Sequence, residues 1–485
     1  MNSCPSKPTN YRWWICSLLF FATTVNYLDR QVLSLTWKDF IAPEFHWTDN
    51  DYGTITGLFS IFYAISMLCA GRFVDWMDTK RGFLWAIGVW SVGACLHAFC
   101  GIATCGVLTG QWLVGFEHAR ELIGAVDNVA KISFVSVSLF IFARFVLALG
   151  EAGNFPAAIK ATAEYFPKKD RAFSTSIFNA GATVGALAAP VVIPPIAKVW
   201  GWESAFLIIG ALGFLWMGFW QFMYRKPDKN PHVNAAELEY IQQDHAADAA
   251  VQAASGNTSH ATKMSFMACL KYKQTWAFAA GKFMTDGVWW FFLFWTPAYL
   301  SSVYGIKSSD PAGKLGIFVL YAITMLSIVG GWLPSYFVGR KGMEPYAGRM
   351  KAMLIFAFFP LLALLAQPLG RYTFWLPIII IGIAGAAHQA WSANLFSTIG
   401  DMFPKKAIAT ITGIGGMAGG VGSFIINKGA GKLFDFAGET QMTFMGFHGK
   451  EAGYFIVFSI CAVAYLIGWT IMKSLVPKYQ PITDL

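Results

Sequence analysis

The sequence predicts an all-α membrane protein of about twelve transmembrane helices, arranged as two pseudo-symmetric six-helix bundles. Three observations carry this. Uncharged apolar runs of about 20 residues recur along the chain, the length that spans a bilayer as a helix. Charged residues make up only 13% of the 485, against 56% hydrophobic, where a soluble domain carries about 25% charged residues. The two halves also repeat each other at corresponding loops. Aromatics reach 16%, with 43 Phe and 20 Trp. Lipid-facing helices and their interfacial belts use that many; a soluble core does not.

Taken in order, the apolar segments are 13–35, 52–74, 83–105, 132–158, 172–199 and 205–224. A polar stretch, 225–273, follows. Six more segments then run over 276–304, 316–338, 352–367, 372–401, 409–434 and 454–472. The domains expected are therefore an N-terminal bundle (1–224), a cytoplasmic linker (225–273) and a C-terminal bundle (274–485). Residues 1–10 are polar, and the first apolar run leads directly into Asn26-Tyr27-Leu28-Asp29-Arg30 with no small-residue cleavage site. That run is read as the first membrane helix and not as a cleaved signal. Within the linker, Asn234 is placed to cap a short surface helix, and the Ala/Ser/Gly-rich part after it reads as flexible.

The net charge of +9 lies in short loops, so it speaks of topology and not of nucleic acid. One set of loops holds Arg72, Lys80 and Arg81; Lys168, Lys169 and Arg171; Arg225 and Lys226; Arg340, Lys341, Arg349 and Lys351; Lys405 and Lys406. The first loop of the other set carries Lys38 against Asp39, Glu44, Asp49 and Asp51. The basic set is expected in the cytoplasm, with both termini. The 8 Cys form no CxxC pair and no Cys/His cluster at zinc spacing, so no metal is expected. No phosphate-binding GxxxxGK[ST] occurs, so neither ATP drive nor another cofactor is indicated.

The internal repeat is specific. Glu164-Tyr165-Phe166-Pro167-Lys168-Lys169 returns as Asp401-Met402-Phe403-Pro404-Lys405-Lys406, and Gly71…Lys80-Arg81-Gly82 returns as Gly331…Arg340-Lys341-Gly342. Parallel halves about a central axis describe an alternating-access carrier. The first register also pairs Glu151 with His388, which places an acid of one half opposite an imidazole of the other. Gly181, Gly185, Gly413, Gly415, Gly416, Gly419, Gly420 and Gly422 stand at helix-packing spacing.

Ionisable side chains inside a bilayer are rare and usually functional. Asp29 and Arg30 lie deep in the first segment. Arg144 and Glu151 lie in the fourth, on one helix face and about 10 Å apart along the axis. Lys282 and His388 lie in the seventh and tenth. The alternative for each is a structural ion pair or a chain that snorkels from a helix end. A carboxylate with a cation beside it in a poorly hydrated cavity can be switched by conformation. That describes Glu151 with Arg144 first, and Asp29 beside Arg30 second. Planar Arg suits a carboxylate ligand better than Lys does. For hydroxyl recognition, Tyr27, Tyr63, Gln389, Ser392 and Asn394 supply donors and acceptors. Trp289, Trp290 and Trp391 are candidates to stack on a sugar ring, with packing or an interfacial belt as the alternative.

A family pattern runs through these residues. Gly71-Arg72-Phe73-Val74-Asp75-Trp76-Met77-Asp78-Thr79-Lys80-Arg81 resembles the loop motif of the major facilitator superfamily, with Thr79 where that motif has a second Gly. Asn26-Tyr27-Leu28-Asp29-Arg30 and Gly150-Glu151-Ala152-Gly153-Asn154-Phe155-Pro156 resemble its anion:cation symporter branch. Ala387-His388-Gln389-Ala390-Trp391-Ser392 and Gly281-Lys282-Phe283-Met284-Thr285-Asp286…Trp289-Trp290 are similar to bacterial hexuronate transporters. The resemblance implies a gating loop (Gly71, Asp75, Lys80, Arg81), proton coupling at Asp29 and Glu151, and a substrate or gating role for Arg30. One segment departs from it: 104–131 holds about twenty residues more than a short turn needs. A solvated or interfacial loop is the reading preferred for it, with a substrate-facing lid as the alternative.

The function expected is therefore proton-coupled import of a hexuronate anion, galacturonate or glucuronate, by a monomeric carrier in a bacterial inner membrane. Its partners would be the anion, protons and the bilayer. A same-class rival moves an aldonate or a phosphorylated sugar, though a phosphate ester calls for more cavity Arg. A non-transporting sugar-acid sensor would need an output domain larger than the linker. A membrane enzyme would need a nucleophile–base constellation or metal site, which the sequence does not offer.

Overall fold

The computed structural model describes residues 7–243 and 266–482. Its frame is twelve long helices: α1 (Arg12–Thr36), α2 (Asp49–Met77), α3 (Thr79–Thr109), α4 (Val129–Tyr165), α5 (Lys168–Trp200) and α6 (Trp202–Met223), then α7 (Lys273–Tyr304), α8 (Pro311–Lys341), α9 (Pro345–Gly370), α10 (Trp375–Met402), α11 (Lys405–Glu439) and α12 (Lys450–Leu475). Most run a few residues beyond the apolar segments, because helix ends carry polar caps that a hydropathy reading trims. Nine of the described helices are long and apolar enough by themselves to cross a membrane. The other three, α1, α7 and α11, carry buried polar side chains. Asp29 and Arg30 lie in α1, Lys282 in α7, and Ser423 and Asn427 in α11. Most residues of α1 and α7 are buried in protein, so their sequences need not be apolar all round. Large apolar side chains such as Phe134, Phe142, Leu215, Phe222 and Ile460 stand exposed on the outside of the bundle.

Within the first half α1 packs on α5, and α3 on α4 and α6. In the second, α7 packs on α11 and α12, and α8 on α10. The halves meet where α2 lies along α11 and α5 along α8. The repeat is visible in the packing. A Cβ on Gly185 would lie 2.4 Å from the Thr24 carbonyl oxygen of α1, and one on Gly422 would lie 2.1 Å from the Phe283 carbonyl oxygen of α7. Both glycines let two backbones touch, as small residues do between membrane helices.

The loops with the Lys and Arg residues form one face, here the basic face; the loops 37–48, 110–128, 305–310 and 440–449 form the opposite one. On the basic face Asn234 caps the linker helix Ala235–Gln242, its Oδ1 accepting from Glu237 N at 2.9 Å. Glu237 is fully buried, accepts from the backbone N–H of Tyr11 and Arg12, and pairs with the Arg12 guanidinium at 3.1 Å. The start of α1 is thereby capped by the linker. On the opposite face the 104–131 insert is not loop throughout. It forms a helix, Phe116–Gly124. Arg120 from it bridges Glu44 (3.1 Å) and Glu203 (2.8 Å), and Trp202 donates to the same Glu44 carboxylate at 2.8 Å. Burial pushes the Glu44 carboxyl up from its ordinary range, against the Trp202 hydrogen bond and the Arg120 charge.

Candidate functional site

Local packing fixes the acid of α4. The helical run from Val129 ends at Glu151 and resumes at Asn154. Just before the break, a Cβ on Gly150 would lie 2.2 Å from the Trp90 backbone nitrogen. Glycine there lets α4 close onto α3 and holds Glu151 at a set depth. Its side chain is buried and reaches α1. Arg30 Nη2 donates to Glu151 Oε2 at 2.8 Å and Nε to the same oxygen at 3.2 Å. Glu151 Oε1 has no hydrogen-bond partner among the described residues.

Arg30 sits within three aromatic rings. Its guanidinium carbon is 5.2 Å from the Tyr27 ring centroid, 4.9 Å from Tyr63 and 5.0 Å from Trp290. Tyr27 and Tyr63 belong to the first half and Trp290 to α7 of the second, so the cation bridges the halves. The three rings are only half-buried. Such an enclosure holds a planar cation by its faces and leaves its in-plane N–H groups for carboxylates.

The expected Glu151–Arg144 pairing is corrected here. Both are buried, but the carboxylate takes its hydrogen bonds from Arg30. Arg144 lies over Phe59 at 5.1 Å, with Nε and Nη1 making no hydrogen bond among the described residues. Asp29 is buried beside Arg144 and Trp90, with neither oxygen in a well-formed hydrogen bond. Two acids and two arginines thus share one buried region of the first half. Helical spacing put Arg144 on the right face, but a residue 121 positions away in the chain was nearer.

The second half supplies another set. Lys282 does not snorkel: it is buried, lies 4.7 Å from the Phe396 ring centroid, and pairs with Asp286 at 2.6 Å. The reading of the sequence missed Asp286 as a partner, although opposite charges four residues apart on a helix are a direct signal. His388 Nδ1 lies 2.8 Å from the Tyr465 hydroxyl, and the ring stacks on Trp289 at 5.5 Å. His388 and Glu151 therefore have separate partners, each in its own half. Gln389 and Ser392 are half-buried. Trp391 is fully buried against Tyr465. Asn394 spends its amide hydrogens on the Gly330 and Ala390 carbonyls, at 2.8 and 2.9 Å, which ties α10 to α8. The geometry makes these last two parts of the helix-packing wall.

Among the gating-loop residues, Lys80 donates to the Gln221 carbonyl at 2.7 Å and Arg81 is exposed. Gly71 has open space around it. The side chain of Asp75 lies outside the described ones. The neighbouring Asp78 pairs with Lys226 at 3.3 Å, and Thr79 donates to Glu164 at 2.6 Å. This loop is thus bound to the end of its own half. No group of three or more metal-ligating side chains occurs among the described residues.

Known proteins resemble the chain along nearly its whole length. The hexuronate transporter of Escherichia coli (strain K12) is 27% identical over 480 residues, which cover 96% of this chain and 95% of the relative. The galacturonate transporter of Dickeya chrysanthemi is 27% identical over 336 residues, 68% and 84% of the two chains. In fold, a bacterial homologue of the human lysosomal transporter Spinster superposes with a TM-score of 0.68, at 18% identity, over 99% of this chain and 100% of that one. The Major Facilitator Superfamily model matches residues 19–426, and the chain belongs to that family of membrane transporters.

Proposed function

We propose that the protein is a secondary active transporter that moves a hexuronate anion together with protons by alternating access. The observation that carries this is the Arg30–Glu151 pair inside a ring of aromatics drawn from both halves. A carboxylate substrate and the Glu151 carboxylate compete for one guanidinium. A proton on Glu151 releases Arg30, whose fork then accepts the substrate carboxylate. Tyr27, Tyr63 and Trp290 would lie against the sugar ring. Lys282 with Asp286, His388 with Tyr465, and the half-buried Gln389 and Ser392 would offer polar contacts from the second half. Asp29 beside Arg144 is the second proton site. Binding of both ligands shifts the population between the two orientations of the halves, with 1–224 and 274–485 as the rocking units and 225–273 joining them. The names of the relatives support a sugar acid as substrate.

The basic loops support a cytoplasmic location for the basic face, for both ends of the chain and for the linker, in the inner membrane of a bacterium, with a single chain as the unit. A cysteine at Ser255, which lies outside the described residues, is expected to resist impermeant maleimide in intact cells; strong labelling from outside would reverse the orientation. The central test is uptake of labelled galacturonate and glucuronate into proteoliposomes, with and without an imposed pH gradient. Accumulation that needs the gradient is expected. Uptake indifferent to the gradient would remove proton coupling. Uptake only of aldonates or sugar phosphates would change the substrate.

A further inference from the structure

We infer that Asp49 and Asp435 are positioning residues of the transport cycle, each holding the face opposite the basic loops shut by a carboxylate that reaches across the boundary between the halves. This rests on the reading of the chain as an alternating-access carrier. The argument begins with the local sequence at the start of α2. Thr48 and Asp51 form a reciprocal cap: Thr48 Oγ1 accepts from Asp51 N at 3.1 Å, and Asp51 Oδ2 accepts from Thr48 N at 3.0 Å. A helix start has four amides without an intrahelical partner. The cap leaves those of Asp49 and Asn50 unserved. Both are taken by Asp435, near the end of α11 in the other half, at 2.9 and 2.7 Å. The carboxylate also complements the positive end of the helix dipole.

Asp49 makes the reciprocal contact. Its side chain is almost fully buried and holds one lysine from each half: Lys38 at 2.7 Å from its own, and Lys450, the first residue of α12, from the other. Beside it Lys428 of α11 donates to Asn50 Oδ1 at 2.7 Å and also to Thr54. Asp39 extends the seam by accepting from Ser308 N at 2.8 Å and from Ser301 Oγ at 2.9 Å. The backbones are close enough for this to be a seal. A Cβ on Gly431 would lie 2.4 Å from the Asp49 carbonyl oxygen, and one on Gly53 2.5 Å from that of Asn427. None of these residues belongs to the Arg30 site. If the halves part on this face, Asp435 gives up two amides and Asp49 gives up Lys450, while the Thr48–Asp51 cap and the Lys38 pair stay intact within the first half. The contacts given up, with those of Lys428 and Asp39, are therefore specific to the closed state, and the bonds within the first half serve as internal controls.

The test uses Ser60→Cys in the full-length protein as reporter. Ser60 is buried in α2, and its carbonyl would lie 2.9 Å from a Cβ on Gly420 of α11. Impermeant maleimide is applied to each membrane face separately, in cells and in inside-out vesicles. Asp435→Asn and Lys450→Met are each expected to raise labelling from the Asp49 face by about tenfold, equivalent to about 1.4 kcal/mol in the closed-to-open balance. Lys38→Met, which removes only the partner within the same half, should leave the rate unchanged. Unchanged labelling in Lys450→Met, or an equal rise from both faces, would overturn the inference. If Asp435→Asn does not fold, the contrast between Lys450→Met and Lys38→Met still decides. Because labelling needs no substrate, the latch can stand even if hexuronate transport fails, and the reverse.

Discussion

At the scale of single residues, the proposed coupling turns on which group holds Arg30. Glu151 was conspicuous in the sequence because a carboxylate stood inside an apolar run, and burying one without a partner is costly. Its partner was not legible. Arg30 and Arg144 were both reachable by pattern, and in the fold it is Arg30 that donates to the carboxylate. Glu151→Gln imitates a permanently protonated acid and leaves Arg30 without its counter-charge. Accumulation driven by a pH gradient should then vanish, while exchange of internal for external hexuronate persists, as counterflow in proteoliposomes would show. A Glu151→Gln carrier that still concentrates substrate fully would pass the coupling role to Asp29. Loss of exchange as well would make the residue structural. The Lys282–Asp286 pair was legible in principle from its i, i+4 spacing. Asp435 was not, because its partners are backbone amides, which leave no mark on the sequence.

At the scale of elements, the helices most open to a hydropathy reading are those that face lipid. Apolarity does not mark the helices of the site: α1 and α7 carry its buried charges Arg30 and Lys282, and α4, a strongly apolar span, carries Glu151 and Arg144. Gly181, Gly185 and Gly422 were legible as packing devices, since a Cβ on each would meet a backbone oxygen of the neighbouring helix, whereas Gly416 has open space around it. The insert between α3 and α4 was legible only as an excess of length. Its fixed place comes from Arg120, which neutralises two carboxylates that the chain brings together from 76 and 83 residues away. Arg120 is 42% exposed on its side chain, so solvent screens part of each pair. Arg120→Ala should therefore cost about 1–2 kcal/mol, mainly from carboxylates left less well bonded. It should appear as a lower unfolding temperature of the detergent-purified protein, with substrate affinity unchanged. Lost affinity at normal thermal stability would instead favour the lid reading of this segment.

At the scale of the whole molecule, the charges of the inter-helix site balance. Asp29, Glu151 and Asp286 stand against Arg30, Arg144 and Lys282. The repeat that the sequence displayed in its loops predicted two facing halves, and the site takes residues from both. It did not predict that each half keeps its own cation paired in this state. That pairing sets a rule for selectivity. A sugar acid that takes Arg30 from a protonated Glu151 exchanges one carboxylate for another, so the buried balance is kept. A neutral sugar brings hydroxyls alone, and Arg30 would have to leave Glu151 without gaining an anion. Removing one partner of a buried ion pair costs about 3–5 kcal/mol; half of the lower figure, lost to hydroxyl contacts and partial hydration, still leaves a factor of roughly ten. Galactose and glucose should therefore displace bound galacturonate at least about tenfold more weakly than glucuronate does, in competition against labelled substrate at a fixed pH below neutrality. Methyl galacturonate, which keeps the ring and hydroxyls but masks the charge, should behave as a neutral sugar. If the ester competes as well as the free acid, the carboxylate is not what Arg30 reads, and recognition must pass to the hydroxyl contacts of Tyr27, Tyr63 and the second half.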